Sequence, residues 1–427
     1  MSLESPTTEA PASPPTSPDA SATRDFTALL GDRRFAALFG AHLVSNLGDW
    51  LAFLALFGLA ALEWRASATR VGLLAVAYVL PLVGVAPFAG VLVDRWDLRK
   101  VLVASDMARA VLVLAMAFAP GYAALCALLF LHQAAGCFFN PAQSAALPRF
   151  VPRPRLLSAN ALTSSAGHAA KLLGPAVAGL LVAALGPRGC FLADSASFVV
   201  SALALSTLPA MPGGRRTTGA GTGPARRAGS AWAAVRADLG EGFEFLRRAP
   251  RLRRAVGAVA WTMVAVGGFI AILAVYARDV LGAGPRTLGF LLSSLGVGAV
   301  AGALAVAHFG RGRSRQMAIG MGMFLGAIAL AILAANPDLR SVAGGVLLLG
   351  AAAAVSIVPA QALLQEETPG ALLGRVTSVA VAGIGLVQGL GMVLAGPLVG
   401  VLGMSRFLVL AALWLAAGLT AVVAKER

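Results

Sequence analysis

The sequence predicts an all-α integral membrane protein: twelve transmembrane helices in two pseudo-symmetric six-helix bundles. Three observations carry this: a composition that water cannot accommodate, a series of apolar runs each long enough to cross hydrocarbon, and basic loops that alternate along the chain. Of the 427 residues, 58% are hydrophobic and only 12% charged, against about 25% charged in a soluble domain. A soluble chain this apolar could not cover its own surface.

A crossing helix needs about 20 apolar residues. Apolar runs bounded by Gly, Pro and Arg place spans at 35–61, 70–92, 100–119, 122–141, 157–185, 188–208, 254–277, 286–308, 316–335, 341–364, 374–401 and 404–423. The basic residues then sort themselves. Net charge is +15, with 31 Arg and 3 Lys. Alternate loops put 26 of the 34 cations on one side and seven on the other, with Lys171 inside a span. Cytoplasmic loops carry such an excess, so both termini are expected in the cytoplasm. The asymmetry accounts for the charge without nucleic acid. Heavy Arg and Ala usage hints at a GC-rich bacterial genome, and hence a bacterial cytoplasmic (inner) membrane.

The chain divides into four parts. Residues 1–24, rich in Ser, Pro and Thr, read as a disordered cytoplasmic tail; no secretory signal precedes them. Residues 25–209 form the first six-helix bundle and 254–427 the second. Between them, 210–253 is a cytoplasmic linker. Its run Gly219-Ala-Gly-Thr-Gly-Pro follows no strand and is no dinucleotide fingerprint. Trp232, Val235, Leu239, Phe243 and Leu246 lie at helical spacing, an amphipathic helix for the membrane surface or the underside of the bundles. The halves echo each other. Pro141-Ala142-Gln143 recurs as Pro359-Ala360-Gln361, Gly174-Pro175 as Gly396-Pro397, and the basic loop at Arg95–Lys100 as Arg311–Arg315. Matches in order at similar offsets suggest a duplication, and parallel six-span repeats are a transporter architecture.

After span two the chain reads Gly90-Val-Leu-Val-Asp94-Arg95-Trp-Asp97-Leu-Arg99-Lys100. This resembles the loop 2–3 signature of the major facilitator superfamily. Gly174-Pro175-Ala-Val-Ala-Gly179 resembles the Gly-Pro motif of its proton-coupled exporters. Ser45-Asn-Leu-Gly-Asp49-Trp50, Asn140-Pro-Ala-Gln and Phe191-Leu-Ala-Asp194-Ser resemble the branch of macrolide-efflux and enterobactin-exporter proteins. The likeness covers residues 25–427. Two departures stand out: the loop 8–9 copy, Gly310-Arg-Gly-Arg313-Ser-Arg315, lacks the acid, and Gly179 is followed by Leu180. The resemblance implies a conformational latch stabilising an outward-facing state, formed by Gly90, Asp94, Arg95, Arg99, Lys100, Asp106 and Arg109 at the cytoplasmic edge. On the residues alone, Gly90 allows close helix approach and the charges relay or cap helix ends; the alternative is that they only anchor topology.

A charge at a span's centre costs on the order of 2.5–3.5 kcal/mol on insertion scales and needs a reason. Asp49 reads as the only acid near the middle of a span and is the candidate proton-coupling carboxylate. Otherwise it hydrogen-bonds Asn46 or Trp50 and fixes packing. Lys171, one turn from His168, is placed to attract an anionic substrate, to balance Asp49 or to snorkel. His132, His168 and Asn46 complete the substrate-cavity candidates; His132 and His42 could relay protons or simply pack. Asp194 is read as a packing residue near the outer end of span six. Gly174-Pro175 and Gly396-Pro397 are expected to bend spans five and eleven. The pairs Gly298/Gly302, Gly385/Gly389 and Gly396/Gly400 are spaced for close helix contact.

Cys126, Cys137 and Cys190 lie in apolar runs without metal spacing, so neither metal nor cofactor is expected. No Walker motif supplies ATP hydrolysis, and no HExxH, GxSxG or paired carboxylates point to an enzyme. The expectation is a proton-coupled exporter of a drug-, macrolide- or siderophore-like molecule, working as a monomer in the lipid bilayer. Its bundles would rock about a cavity lined by spans 1, 4, 7 and 10. A metabolite importer or facilitator, and a transport-dead receptor or scaffold, remain as alternatives.

Overall fold

The computed structural model describes residues 27–93, 95–152, 155–212, 231–309, 314–335 and 338–423. The low-complexity run at 219–224, the tail at 1–24 and Asp94 lie outside them. Every regular element among the described residues is helical. Span one is Arg33–Gly58, extended by a π-helical turn at Leu59–Glu63. Span two is Ala68–Gly84 continued by Ala86–Val93, span three Leu98–Ala117 and span four Tyr122–Phe150. Leu156–Ser206 is one helical run broken at Gly186, giving spans five (156–185) and six (187–206). A linker helix, Ala231–Arg248, precedes spans seven to twelve: Pro250–Asp279, Pro285–Phe309, Arg315–Ala335, Leu339–Glu367, Gly370–Leu402 and Met404–Val423.

Local chemistry sets the ends. Asp32 accepts the amides of Arg34 and Phe35 and so caps span one; Asp97 caps span three through Lys100 and Asp338 caps span ten. Gly186 has φ 71 and ψ 174, a left-handed conformation open to glycine, and Pro187 follows at once. That single residue turns the chain between spans five and six. Span four outruns its expected end at 141. An internal proline removes one helical hydrogen bond, and the helix continues through Pro141 and Pro148 to Phe150. Span seven likewise begins at Pro250, so Arg251, Arg253 and Arg254 form its first turns rather than the linker.

Eight helices are long and apolar enough to cross a membrane, and Ala68–Leu82 and Met404–Thr420 are shorter apolar ones. The Gly186 break splits the run counted at Leu173–Ser206, and Leu98–Ala117 is a further helix of 20 residues that carries Arg99, Lys100, Asp106 and Arg109. Twelve spans result.

Glycine decides how the helices pack. A Cβ at Gly298 or Gly302 of span eight would fall on the carbonyls of Leu347 or Ala351 in span ten, and one at Gly350 on that of Leu295. Between the halves, Gly179 and Gly289 bring spans five and eight together backbone to backbone, while Gly389, Gly396 and Gly400 lie against Val79, Ala68 and Thr69 of span two. Gly385 and Gly90 contact nothing: a Cβ at either meets open space, so neither provides the close approach expected of it. In span twelve, Trp414 stacks on Trp261 of span seven at 3.9 Å, and each indole N–H donates to the other's carbonyl.

The contacts between halves lie towards the end opposite the basic loops. One core cluster runs through both bundles there; a second, with Phe35, Leu98, Phe139 and Leu205, stays within the first bundle at the basic end. Among the described residues, the close backbone contacts between the halves are thus gathered at one end. Gly350→Val should cost on the order of 3 kcal/mol by overpacking against backbone, read as a lowered melting temperature. Gly344→Val, whose Cβ would meet nothing, should leave it unchanged.

Candidate functional site

Spans one, three, four and six meet around one guanidinium. Arg109, 7% exposed in its side chain, forms an ion pair with Asp49 of span one and reaches Asp106, one turn earlier on its own helix, at 3.6 Å. Its guanidinium carbon sits 4.0 Å above the Phe198 ring of span six. The hydroxyl of Ser201 donates to the other oxygen of Asp106. At about 1.5 Å per residue Arg109 lies roughly 16 Å into span three. Asp106 and Arg109 are thus placed inside the membrane and not at its edge with Arg95. A lone arginine at this depth is too costly to leave unanswered, and it draws acids from neighbouring helices.

Asp194 belongs to the same group. It is wholly buried, accepts a hydrogen bond from Ser197 at 3.1 Å and leaves its second oxygen without a partner among the described residues. Gly48 makes room for it: a Cβ there would collide with the Asp194 carboxylate and the Ser197 hydroxyl. Gly136 of span four similarly faces the Arg109 side chain, its Cβ position 3.6 Å from Nε. Asp49, His132 and Asp194 each bring a potential ligating atom within 4.8 Å of the others; the fixed cation among them is Arg109. His132 packs edge-on against Phe198, 5.7 Å between centroids, with Nδ1 3.0 Å from Gln133 and Nε2 without a partner among the described residues.

Two clefts flank Asp49, whose side chain is 36% exposed. Towards the basic end the walls are His42, Asn46, Arg109, Phe139 and Asn140; on the other side they are Phe53, Leu56, Tyr78, His132 and Gln133, around about 320 Å³. Asn46 donates to the His42 carbonyl at 2.7 Å, so Asn46 lines the approach and does not hold Asp49. Trp50 packs into the gap that Gly174 leaves. The cleft towards the basic end is walled by spans one, three and four and the other by spans one to four, both within one half, and spans seven and ten line neither.

Three sequence expectations change. Asp49 is not the only mid-span acid, for Asp106 and Asp194 share its cluster. Its counter-charge is Arg109, one of the three roles offered for Lys171; the side chains of Lys171 and His168 lie outside the described ones. Asp194 sits seven residues into span six, in the cluster and not at the outer end. At the basic end, Asp97 accepts the Met211 amide at 2.7 Å, tying the loop after span two to the end of span six. Arg95, Arg99 and Lys100 form no ion pair among the described residues. Arg315 finds an acid its own loop lacks in Glu366, at 2.8 Å. The helices stay continuous through Pro175 and Pro397, and Gly174 and Gly396 serve close contact.

Removing one member of a buried ion pair costs about 3–5 kcal/mol, because the remaining charge is stranded. Arg109→Gln should therefore lower the melting temperature more than Asp49→Asn combined with Arg109→Gln. A double variant showing the full sum of two independent losses would remove the ionic basis of the cluster.

The Major Facilitator Superfamily profile matches residues 38–391. The chain is 28% identical over 401 residues to the MFS-type transporter YfiS of Bacillus subtilis (strain 168), covering 91% of this chain and 92% of that one. It is 29% identical over 399 residues to the multidrug efflux pump Tap of Mycolicibacterium fortuitum, covering 90% and 93%. Among solved structures, a bacterial homologue of the human lysosomal transporter Spinster, inward-facing and unoccupied, superposes with a TM-score of 0.70 at 13% identity, over 93% of this chain and 98% of that one. A profile spanning most of the sequence, on twelve helices in two bundles, settles the family: the chain belongs to the Major Facilitator Superfamily.

Proposed function

We propose that the protein is a proton-coupled exporter of small drug-, macrolide- or siderophore-like molecules, working by alternating access in a bacterial cytoplasmic membrane. The observation that carries this reading is the chain of Asp49, Arg109 and Asp106 set between two clefts in the first bundle. Two carboxyls contact one guanidinium, and a third, Asp194, is buried beside Asp49. Charge balance in a dry interior then leaves protons as the remaining counter-charge. Asp49, the member facing the clefts, is the one that exchanges them. When it is ionised, Arg109 holds span one to span three; a proton on Asp49 loosens that tie and leaves Arg109 to Asp106.

Sidedness follows from the positive-inside rule: the basic end is cytoplasmic, so the close contacts between the halves lie towards the outer face. His42 and Asn46 lead from the cytoplasmic end to Asp49. Arg95, Arg99 and Lys100 form no ion pair among the described residues, which is consistent with a latch that engages only in the outward-facing state. Export over import is favoured by similarity to the multidrug efflux pump Tap across nine-tenths of the chain.

The test uses everted vesicles with an acid interior and a pH-sensitive dye, challenged with macrolides, siderophores and cationic dyes. A compound should release protons from vesicles carrying the parent and not from those carrying Asp49→Asn. Equal responses would remove Asp49 from coupling; silence from a well-folded parent across the panel would count against export.

A further inference from the structure

At the end opposite the basic loops, a charged side chain joins the two bundles. Arg278 lies in the last turn of span seven and is 17% exposed. Its Nη1 donates to the carbonyls of Ala61 at 2.7 Å and Ala66 at 2.9 Å, both in the other half. Its Nε and Nη2 are held by the two oxygens of Asp279, at 2.6 and 2.9 Å. The fork is thereby aimed.

The receiving segment is built for a cation. Ala61 lies in the π-helical turn that ends span one, and Arg65 just beyond it has φ 48, which curls the chain back so that Ala66 bonds to Ala60. Carbonyls at a helix C-terminus lack intrahelical donors and carry the negative end of the dipole. Both carbonyls point to one guanidinium, a charge-assisted contact roughly twice as strong as a neutral one. Ser293 adds a neutral bond across the same seam, to the Ala176 carbonyl at 3.2 Å.

We infer that Arg278, aimed by Asp279, is the tie that holds the outer side shut, and that its release from the span-one turn is a required step in opening. The inference rests on the reading of the bundles as rocking halves, and not on proton coupling. When the halves separate, the glycine contacts of spans 2 with 11 and 5 with 8 slide apart as backbone surfaces; the Arg278 fork has to let go of two carbonyls at once.

Spin labels at the exposed outer positions Pro120 and Arg340, in a background with Cys126, Cys137 and Cys190 replaced by alanine, report the separation of the outer ends in purified full-length protein. Arg278→Gln should raise the ratio of long to short distances about tenfold, the effect of losing a charge-assisted bond at a partly exposed site, with Arg278→Lys intermediate. Asp279→Asn should shift it in the same direction by less. Glu63→Gln breaks an ion pair to Arg188 within one half and should leave the distances alone. An unchanged distribution in a folded Arg278→Gln protein, or an equal shift from Glu63→Gln, overturns the assignment. Because the readout needs neither substrate nor proton gradient, its failure is distinct from failure of the exporter reading.

Discussion

A guanidinium buried among helices constrains everything around it. Arg109 cannot shed its proton and cannot be left unanswered in hydrocarbon, so span one must present Asp49, span three must place Asp106 one turn away, and span six must bring Phe198 and Ser201 alongside. Two glycines, Gly48 and Gly136, clear the space in which these helices close on it. The first bundle is assembled around this requirement. Its interior polarity is compact and costly, and such groups persist where they are used.

Among the described residues the second bundle has no equivalent. The buried charged and imidazole groups among the described residues, Asp106, Arg109, His132 and Asp194, all belong to the first half, while the second buries only hydroxyls such as Thr262, Ser294 and Ser356. Its glycines instead pack its own helices tightly and supply smooth faces to spans two and five. Among the described residues, one half thus carries the buried titratable groups and the other is a close-packed counterpart. The echo of Pro141-Ala-Gln in Pro359-Ala-Gln survives in the helices, but the charges have no counterpart.

The fold was legible because the signals are local: apolar length, caps such as Asp32 and Asp338, and loop charge are each read from neighbouring residues. The site was half legible. Asp49 was visible as an acid in an apolar run. Its partner was hidden because counting cations by loop swept Arg109 to the membrane edge along with Arg95, though it stands eleven residues inside span three. Matching depths would have found it, since a mid-span acid calls for a cation at similar depth on an adjacent helix. Asp194 was harder. Its place depends on where spans five and six divide, and that is set by the backbone of Gly186.

That turn has a mechanical meaning. Counting outwards from Gly186, Gly179 on one limb touches the other bundle and Asp194 on the other limb stands beside Asp49. Only one residue separates the limbs, so there is no loop to absorb a displacement. Spans five and six form a bracket with the charge cluster on one arm and the seam between the bundles on the other. Any change in the angle between the arms has to be taken up in the backbone of Gly186.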